Sequence, residues 1–314
     1  MIYAGIDEAG YGPLLGPLCV GASAFRIAGG ASPPPDLWSA LSAGVCRKPK
    51  DARRRVAVAD SKKLKSAGKQ PLVHLERGVL SFVAQETASD AELFAELGVH
   101  ARASRATPWH ALELPLPECH TPGELAISRN LVRRALEGAG AELAHFAVSA
   151  LDAPAFNALY RRLENKAHVN MSLVFEAARQ IDLLRGDEPA HLAIDRQGGR
   201  ASYRRELEEH VARGEPVRVL EESDERSAYE VGDGLRVSFE VGAEERHLPV
   251  ALASMGAKWV RELFMRRLNA FFIERAPGLE PTAGYVEDGR RFLAEVKPIL
   301  AREAIPESEF ARQV

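Results

Sequence analysis

Two apolar runs near the N-terminus, 2–6 and 18–27, most constrain the architecture, because only an acidic, glycine-rich turn separates them. The first alternates weakly and stops at Asp7-Glu8-Ala9-Gly10. The second is bounded by Gly16-Pro17 before it and Gly29-Gly30 after it, so it reads as a buried strand. A hairpin joining the two is the simplest connection. Farther on, 191–195 reads as a strand ending on Asp195, while 146–148 and 217–221 are short strand candidates. Residues 229–241 resemble a hairpin turning at Asp233-Gly234. Helices are expected near 37–43, 70–85, 125–138, 155–163, 169–184, 203–212, 248–272 and 288–302. Strands paired early by a hairpin and later alternating with helices give an α/β fold with a mixed sheet. The stretch 99–124 is rich in Pro, His and Thr, has no sustained period, and reads as an inserted loop.

At 314 residues the chain can bury one sizeable core with room for a small appendage. No run approaches the roughly 18 apolar residues of a membrane span, and the N-terminus lacks the basic and apolar regions of a signal peptide. Cys19, Cys46 and Cys119 form neither a disulfide framework nor a zinc spacing, so a cytoplasmic location is expected. The net charge of −3 does not favour a nucleic-acid partner, although basic clusters stand at Arg47-Lys48, Arg53-Arg54-Arg55, Lys62-Lys63-Lys65 and Arg266-Arg267. Each cluster is equally compatible with a solvated face.

The carboxylates carry more information. Adjacent acids repel and raise one another's pKa, and in a continuous strand Asp7 and Glu8 would point to opposite faces. They can converge where the strand ends and the chain turns, and carboxylates gathered at a strand end suit hard divalent cations. A bare Asp-Glu pair is also what a solvated turn looks like. Asp195 closes a second strand, and strand ends are where α/β sites gather. Glu262 shares a helix face with Lys258 and Ser254, a spacing that equally describes a surface i,i+4 ion pair. The Gly10-Tyr11-Gly12 turn has neither the spacing nor the following helix of a dinucleotide fingerprint.

Residues 5–17, Gly-Ile-Asp-Glu-Ala-Gly-Tyr-Gly-Pro-Leu-Leu-Gly-Pro, resemble the opening D-E-A-G-R-G-x-x-x-G-P motif of the ribonuclease HII family. Asp60-Ser61-Lys62-Lys63-Leu64 resembles that family's D-S-K-K-L segment, and 253–262 its A-S-I-x-A-K-V-x-R-D helix. Asp195 stands where the family has its third acid. Asp224 resembles an aspartate ahead of that helix, and Tyr285 a substrate-contacting tyrosine after it.

The resemblance implies a ribonuclease H-like three-layer α/β fold: a mixed five-stranded sheet flanked by helices, plus a small helical C-terminal portion. Residues 1–272 would form the catalytic domain, with the loop at about 99–124 and the hairpin at about 229–241 as additions, and 273–314 a C-terminal helical extension. The implied activity is hydrolysis of the RNA strand of RNA–DNA hybrids, or cutting at ribonucleotides embedded in duplex DNA, by a monomer. Two Mg²⁺ or Mn²⁺ ions would be held by Asp7, Glu8, Asp195 and Glu262. Gly10, Tyr11, Gly12, Ser61, Lys62, Lys258 and Tyr285 would bind substrate, the glycine turn reading the 2′-hydroxyl. Two departures stand out: Tyr11 replaces the arginine of the G-R-G turn, and Glu262 replaces an aspartate. The competing functions are a fold relative that binds nucleic acid or protein without cutting, and a metal-dependent nuclease acting on another nucleic acid.

Overall fold

Side-chain alternation along β1 (Ile2–Ala9) decides the layering of the molecule. Its odd positions, such as Tyr3, join one hydrophobic cluster, and its even positions Ile2, Ala4 and Ile6 join another on the opposite face. The computed structural model describes residues 1–30, 33–64, 70–100, 104–196 and 198–313. After β1 come β2 (Leu18–Ile27), α1 (Leu37–Ala40), the small parallel pair β3 (Val45–Cys46) and β4 (Val56–Ala57), α2 (Val73–Phe82) and α3 (Asp90–Glu96). The middle of the chain forms α4 (Pro122–Gly138), β5 (Ala141–Leu151), α5 (Ala153–Leu163), α6 (Lys166–Arg185), β6 (Ala190–Asp195) and α7 (Arg204–His210). The remainder is β7 (Val217–Glu222), β8 (Arg226–Val231), β9 (Leu235–Glu240), α8 (Leu248–Arg275), α9 (Val286–Arg302) and α10 (Glu307–Phe310).

Among the described residues the main sheet has seven strands in the order β5-β2-β1-β6-β9-β8-β7. β1, β6 and β9 run parallel, while β2 and β5 on one side and β8 and β7 on the other are antiparallel to their inner neighbours. The expected five strands are therefore exceeded by two. The hairpin expected as an addition supplies β9, which lies directly beside β6, and β7–β8 extend the sheet beyond it. Periodicity showed the hairpin but not the parallel partner of its second strand, which pairs from Leu235 to Glu240 with Ala190 to Asp195.

α8 lies on the odd face of β1, with α2 and α4 beyond it; α6 and α7 cover the other face. The fit of α8 depends on two glycines that bring helix backbone against strand backbone. A Cβ on Gly5 would sit 2.2 Å from Val250 N, and one on Gly21 would sit 2.2 Å from Ala253 O. The described part of the 99–124 loop is fastened by two buried acids. Glu76 accepts the Glu118 and Cys119 amides at 2.7 and 2.9 Å, and Asp90 accepts the Leu114 amide at 2.9 Å while ion-paired to buried Arg267. Residues 101–103, like Lys65 of the basic cluster, fall outside the described residues. The C-terminal helices pack with Leu15, Trp109, Met265 and Phe272 in one cluster. No helix among the described residues is long and apolar enough to cross a membrane.

Candidate active site

β1, β6 and the segment after β9 deliver carboxylates to one end of the parallel strands. Asp7 lies on the α8 face, 7% exposed, and its Oδ1 accepts the Glu8 amide at 2.7 Å. The hydroxyl of Ser254, on α8, also donates to it. Burial pushes the Asp7 carboxyl well above the usual range. The charges of Glu8 and Asp195 push the same way, against the two hydrogen bonds.

Asp195 ends β6 and accepts the Ala243 amide at 3.0 Å. Burial, then the charge of Glu244, raises it to about 7; Glu8 and a hydrogen bond shared with Glu244 add to the rise. Glu244 was missed by the sequence reading. It sits in the short 3-10 turn Ala243–Glu245 that links β9 to α8, and its Oε2 is buried with no hydrogen-bond partner among the described residues. Its only signal was position: it closely follows the strand beside Asp195 and leads into the Ser254 helix.

The expected turn at Asp7-Glu8 is not where β1 ends. The strand continues to Ala9, pairing Asp7 with Gly21 and Glu8 with Val20, so the two side chains leave on opposite faces. They meet electrostatically across the sheet end rather than on one face. Glu262 is held elsewhere, with its Oε1 2.6 Å from Lys258 Nζ. It lies eight residues beyond Ser254, about 12 Å along the helix. Asp224 lies in the β7–β8 turn, where its carbonyl accepts from Arg196.

The remaining predicted residues surround the acids on loops. Ser61 is buried with its Oγ 3.3 Å from Ser254 Oγ, which ties the D-S-K-K-L turn to the residue that holds Asp7. Lys62 is exposed, and its amide donates to Asp60 Oδ1 at 2.9 Å. Gly10 adopts φ +85°, and a Cβ there would meet the Arg261 side chain at 2.6 Å, whereas Gly12 faces open space. Arg261 is 1% exposed and donates to Leu15 O and Ala283 O, while Gly284 O accepts the Leu14 and Leu15 amides. The 10–17 loop is thereby stitched to the 283–285 loop. Each presents an exposed tyrosine: Tyr11, 37% exposed, and Tyr285, 55%.

Among the described residues, no three His, Cys, Asp or Glu side chains close around one point as a formed metal centre would. The donor chemistry nevertheless fits a hard divalent cation. Asp7, Asp195 and Glu244 are oxygen donors, repulsion and burial hold Asp7 and Asp195 against ionisation, and Glu244 presents an orphaned buried oxygen.

No family model and no curated protein matches the chain. Among solved structures it is similar to ribonuclease HII of Archaeoglobus fulgidus, described in complex with PCNA. The identity is 19% and the TM-score 0.43, over 100% of this chain and 94% of that one. It is likewise similar to the Bst ribonuclease HIII in complex with Mn²⁺, at 16% identity and TM-score 0.43, over 100% of this chain and 66% of that one. A third is ribonuclease H2 of Pyrococcus horikoshii, at 15% identity and TM-score 0.42, over 99% and 92% of the two chains. The chain is similar, along essentially its full length and at low identity, to solved ribonucleases HII and HIII.

Proposed function

We propose that this protein is a metal-dependent endoribonuclease that cuts the RNA strand of RNA–DNA hybrids or cuts at ribonucleotides embedded in duplex DNA. The observation that carries the reading is the acid cluster of Asp7, Asp195 and Glu244, with Glu8 behind it, at the C-terminal ends of adjacent parallel strands. Asp7, Glu8, Asp195 and Glu244 would hold Mg²⁺ or Mn²⁺; the geometry favours Glu244 for the place that the sequence resemblance gave to Glu262. Bound there, the cations would supply Lewis acidity to the attacked phosphate and lower the pKa of a water.

The chain's own groups do the rest. Ser254 orients Asp7 and is itself braced by Ser61. The Gly10–Gly12 backbone, open to solvent at Gly12, can approach a ribose closely enough to read its 2′-hydroxyl, the group that separates RNA from DNA locally. Tyr285 offers an exposed ring to the sugar beside it, and Lys62 an exposed ammonium to a phosphate.

The test uses three duplexes with Mg²⁺ or Mn²⁺: DNA carrying one ribonucleotide, a full RNA–DNA hybrid, and all-DNA. Wild type is expected to cut the first two and spare the third. Asp7→Asn should lose more than about a hundred-fold in rate, since losing even an outer-shell partner costs 10–100-fold, while still binding duplex. A wild type that binds all three and cuts none is a binding protein, and the catalytic reading fails. Cutting of all-DNA at equal rate moves the substrate to nucleic acid in general.

A further inference from the structure

Lys166 opens α6 at the first helical position, following Asn165, whose side-chain oxygen accepts the Ala167 amide at 2.8 Å. A cation is poorly placed there, because the N-terminal end of a helix carries partial positive charge. Nor does a neighbour compensate it: among the described residues no carboxylate lies within ion-pair distance of its ammonium. Its close partner is instead the ring of Tyr11, whose centre lies 4.8 Å from Nζ. Burial and the nearby Arg312 push the Lys166 ammonium below the usual lysine range.

The like charges gather around the 10–17 loop. Arg312 is 2% exposed and donates through Nη2 to Pro13 O, while its Nε and Nη1 are buried without partners. Arg261 packs against Gly10 with its Nε also unpartnered, and its charge bears on Arg312. Both arginines are sealed under the loop, whereas Lys166 is only half-buried. Burial, and then the charge of Glu8, raises the Tyr11 phenol. The sequence reading gave Lys166 no role.

We propose that Lys166 is a substrate-positioning residue, a ligand for a backbone phosphate flanking the cut, with the Tyr11 ring as the platform that fixes its ammonium. This rests on the nuclease reading above and assigns a cation to the surface that adjoins its acids. The folded chain holds the charge at a helix N-terminus, near the buried Arg312 guanidinium, with no carboxylate in ion-pair distance among the described residues. A phosphodiester oxygen at that point relieves both repulsions together. Cation–π contact with Tyr11 keeps the ammonium in place and is weak enough to let it turn toward an anion.

The test reads binding separately from cutting. In the Asp7→Asn background, duplex affinity is measured from 50 to 200 mM salt for Lys166, Lys166→Ala and Lys166→Arg. One lost phosphate contact lowers the slope of log K against log salt by about 0.9, so Lys166→Ala should show that decrease and Lys166→Arg should restore it. In the Asp7 wild-type background, Lys166→Ala should raise KM with kcat within about two-fold, as loss of uniform binding does. Duplexes with a single neutral methylphosphonate at successive positions should reveal one position that weakens the Lys166 protein and leaves Lys166→Ala unaffected. An unchanged salt slope overturns the proposal. So does a Lys166→Ala variant that loses thermal stability and kcat with unaltered affinity, since Lys166 would then be a brace for the loop. If the Asp7 wild type binds but never cuts, the nuclease reading falls while the slope still judges Lys166; if it cuts and the slope is unchanged, Lys166 alone falls. Absence of salt-dependent binding overturns both.

Discussion

At Asp195, burial and the Glu244 charge act in the same direction, and on the proposed reading a bound cation would offset both. The residues that announced this site in the sequence were those inside recognisable strings: Asp7-Glu8 before its glycines, and Ser254 on its helix. Glu244 was illegible because its neighbours, Ala243 and Glu245, give it the look of a solvated turn, and only the parallel pairing of β6 with β9 brings it to Asp195. For Glu262 the plain helix-spacing reading, an i,i+4 ion pair, is the arrangement found. The two glutamates therefore make opposed predictions. At a hundred times Kd, Mn²⁺ should stabilise wild type by about 2.7 kcal/mol. Glu244→Gln, by weakening the site at least ten-fold, should remove about 1.4 kcal/mol or more of that, while Glu262→Gln should keep it. Thermal melts with and without Mn²⁺ decide, and the reverse pattern would return the fourth acid to Glu262.

Elements with strong local patterns were read closely. β2 spans 18–27 as expected, and α8, expected over 248–272, runs to Arg275. β5 was read as three residues and has eleven, because its side chains are mostly half-buried and its apolar alternation is diluted. What sequence could not supply was how elements meet, such as α8 on Gly5 and Gly21, or β9 closing against α8 through Glu240. Burial pushes the Glu240 carboxyl up, but a hydrogen bond and charge from His247, the Ser238 hydroxyl and Arg226 outweigh it and leave it at about 2. The folded value lies below the ordinary one of 4.5. The unfolded chain therefore binds the extra proton between those values, and the stabilisation is complete above about pH 4.5 and lost as pH falls toward 2. A shift of this size corresponds to about 3 kcal/mol. Urea unfolding of wild type between pH 5 and 2.5 should show that loss, and Glu240→Gln should flatten the profile. Equal slopes in the two proteins would mean that the Glu240 contacts contribute nothing net.

Across the whole molecule, net charge misleads in both directions. The total of −3 hides cations concentrated at the 10–17 loop. Conversely, the Arg266-Arg267 cluster, suggestive in the sequence, is spent on Glu118 and on buried Asp90. The longest-range contacts are also the ones that shape the candidate site. The Arg312 amide donates to Leu14 O at 3.0 Å, and its guanidinium reaches Pro13 O. Asn157 of α5 donates to Ser308 O and Ala311 O at 2.7 and 2.9 Å and accepts the Gln313 amide. No periodicity or motif could forecast a contact between residues 13 and 312. Yet through it the last residues hold the loop that carries Gly10, Tyr11 and Gly12. Removing residues from 305 onward withdraws Ile305 and Phe310 from the cluster they share with Leu15, at about 2 kcal/mol for each side chain. The shortened protein should unfold about 4 kcal/mol more easily. Because the lost contacts lie under the loop, its affinity for duplex should drop even at temperatures where it is fully folded. A truncated protein with unchanged unfolding midpoint and unchanged affinity would show that the 10–17 loop keeps its shape without the C-terminal segment.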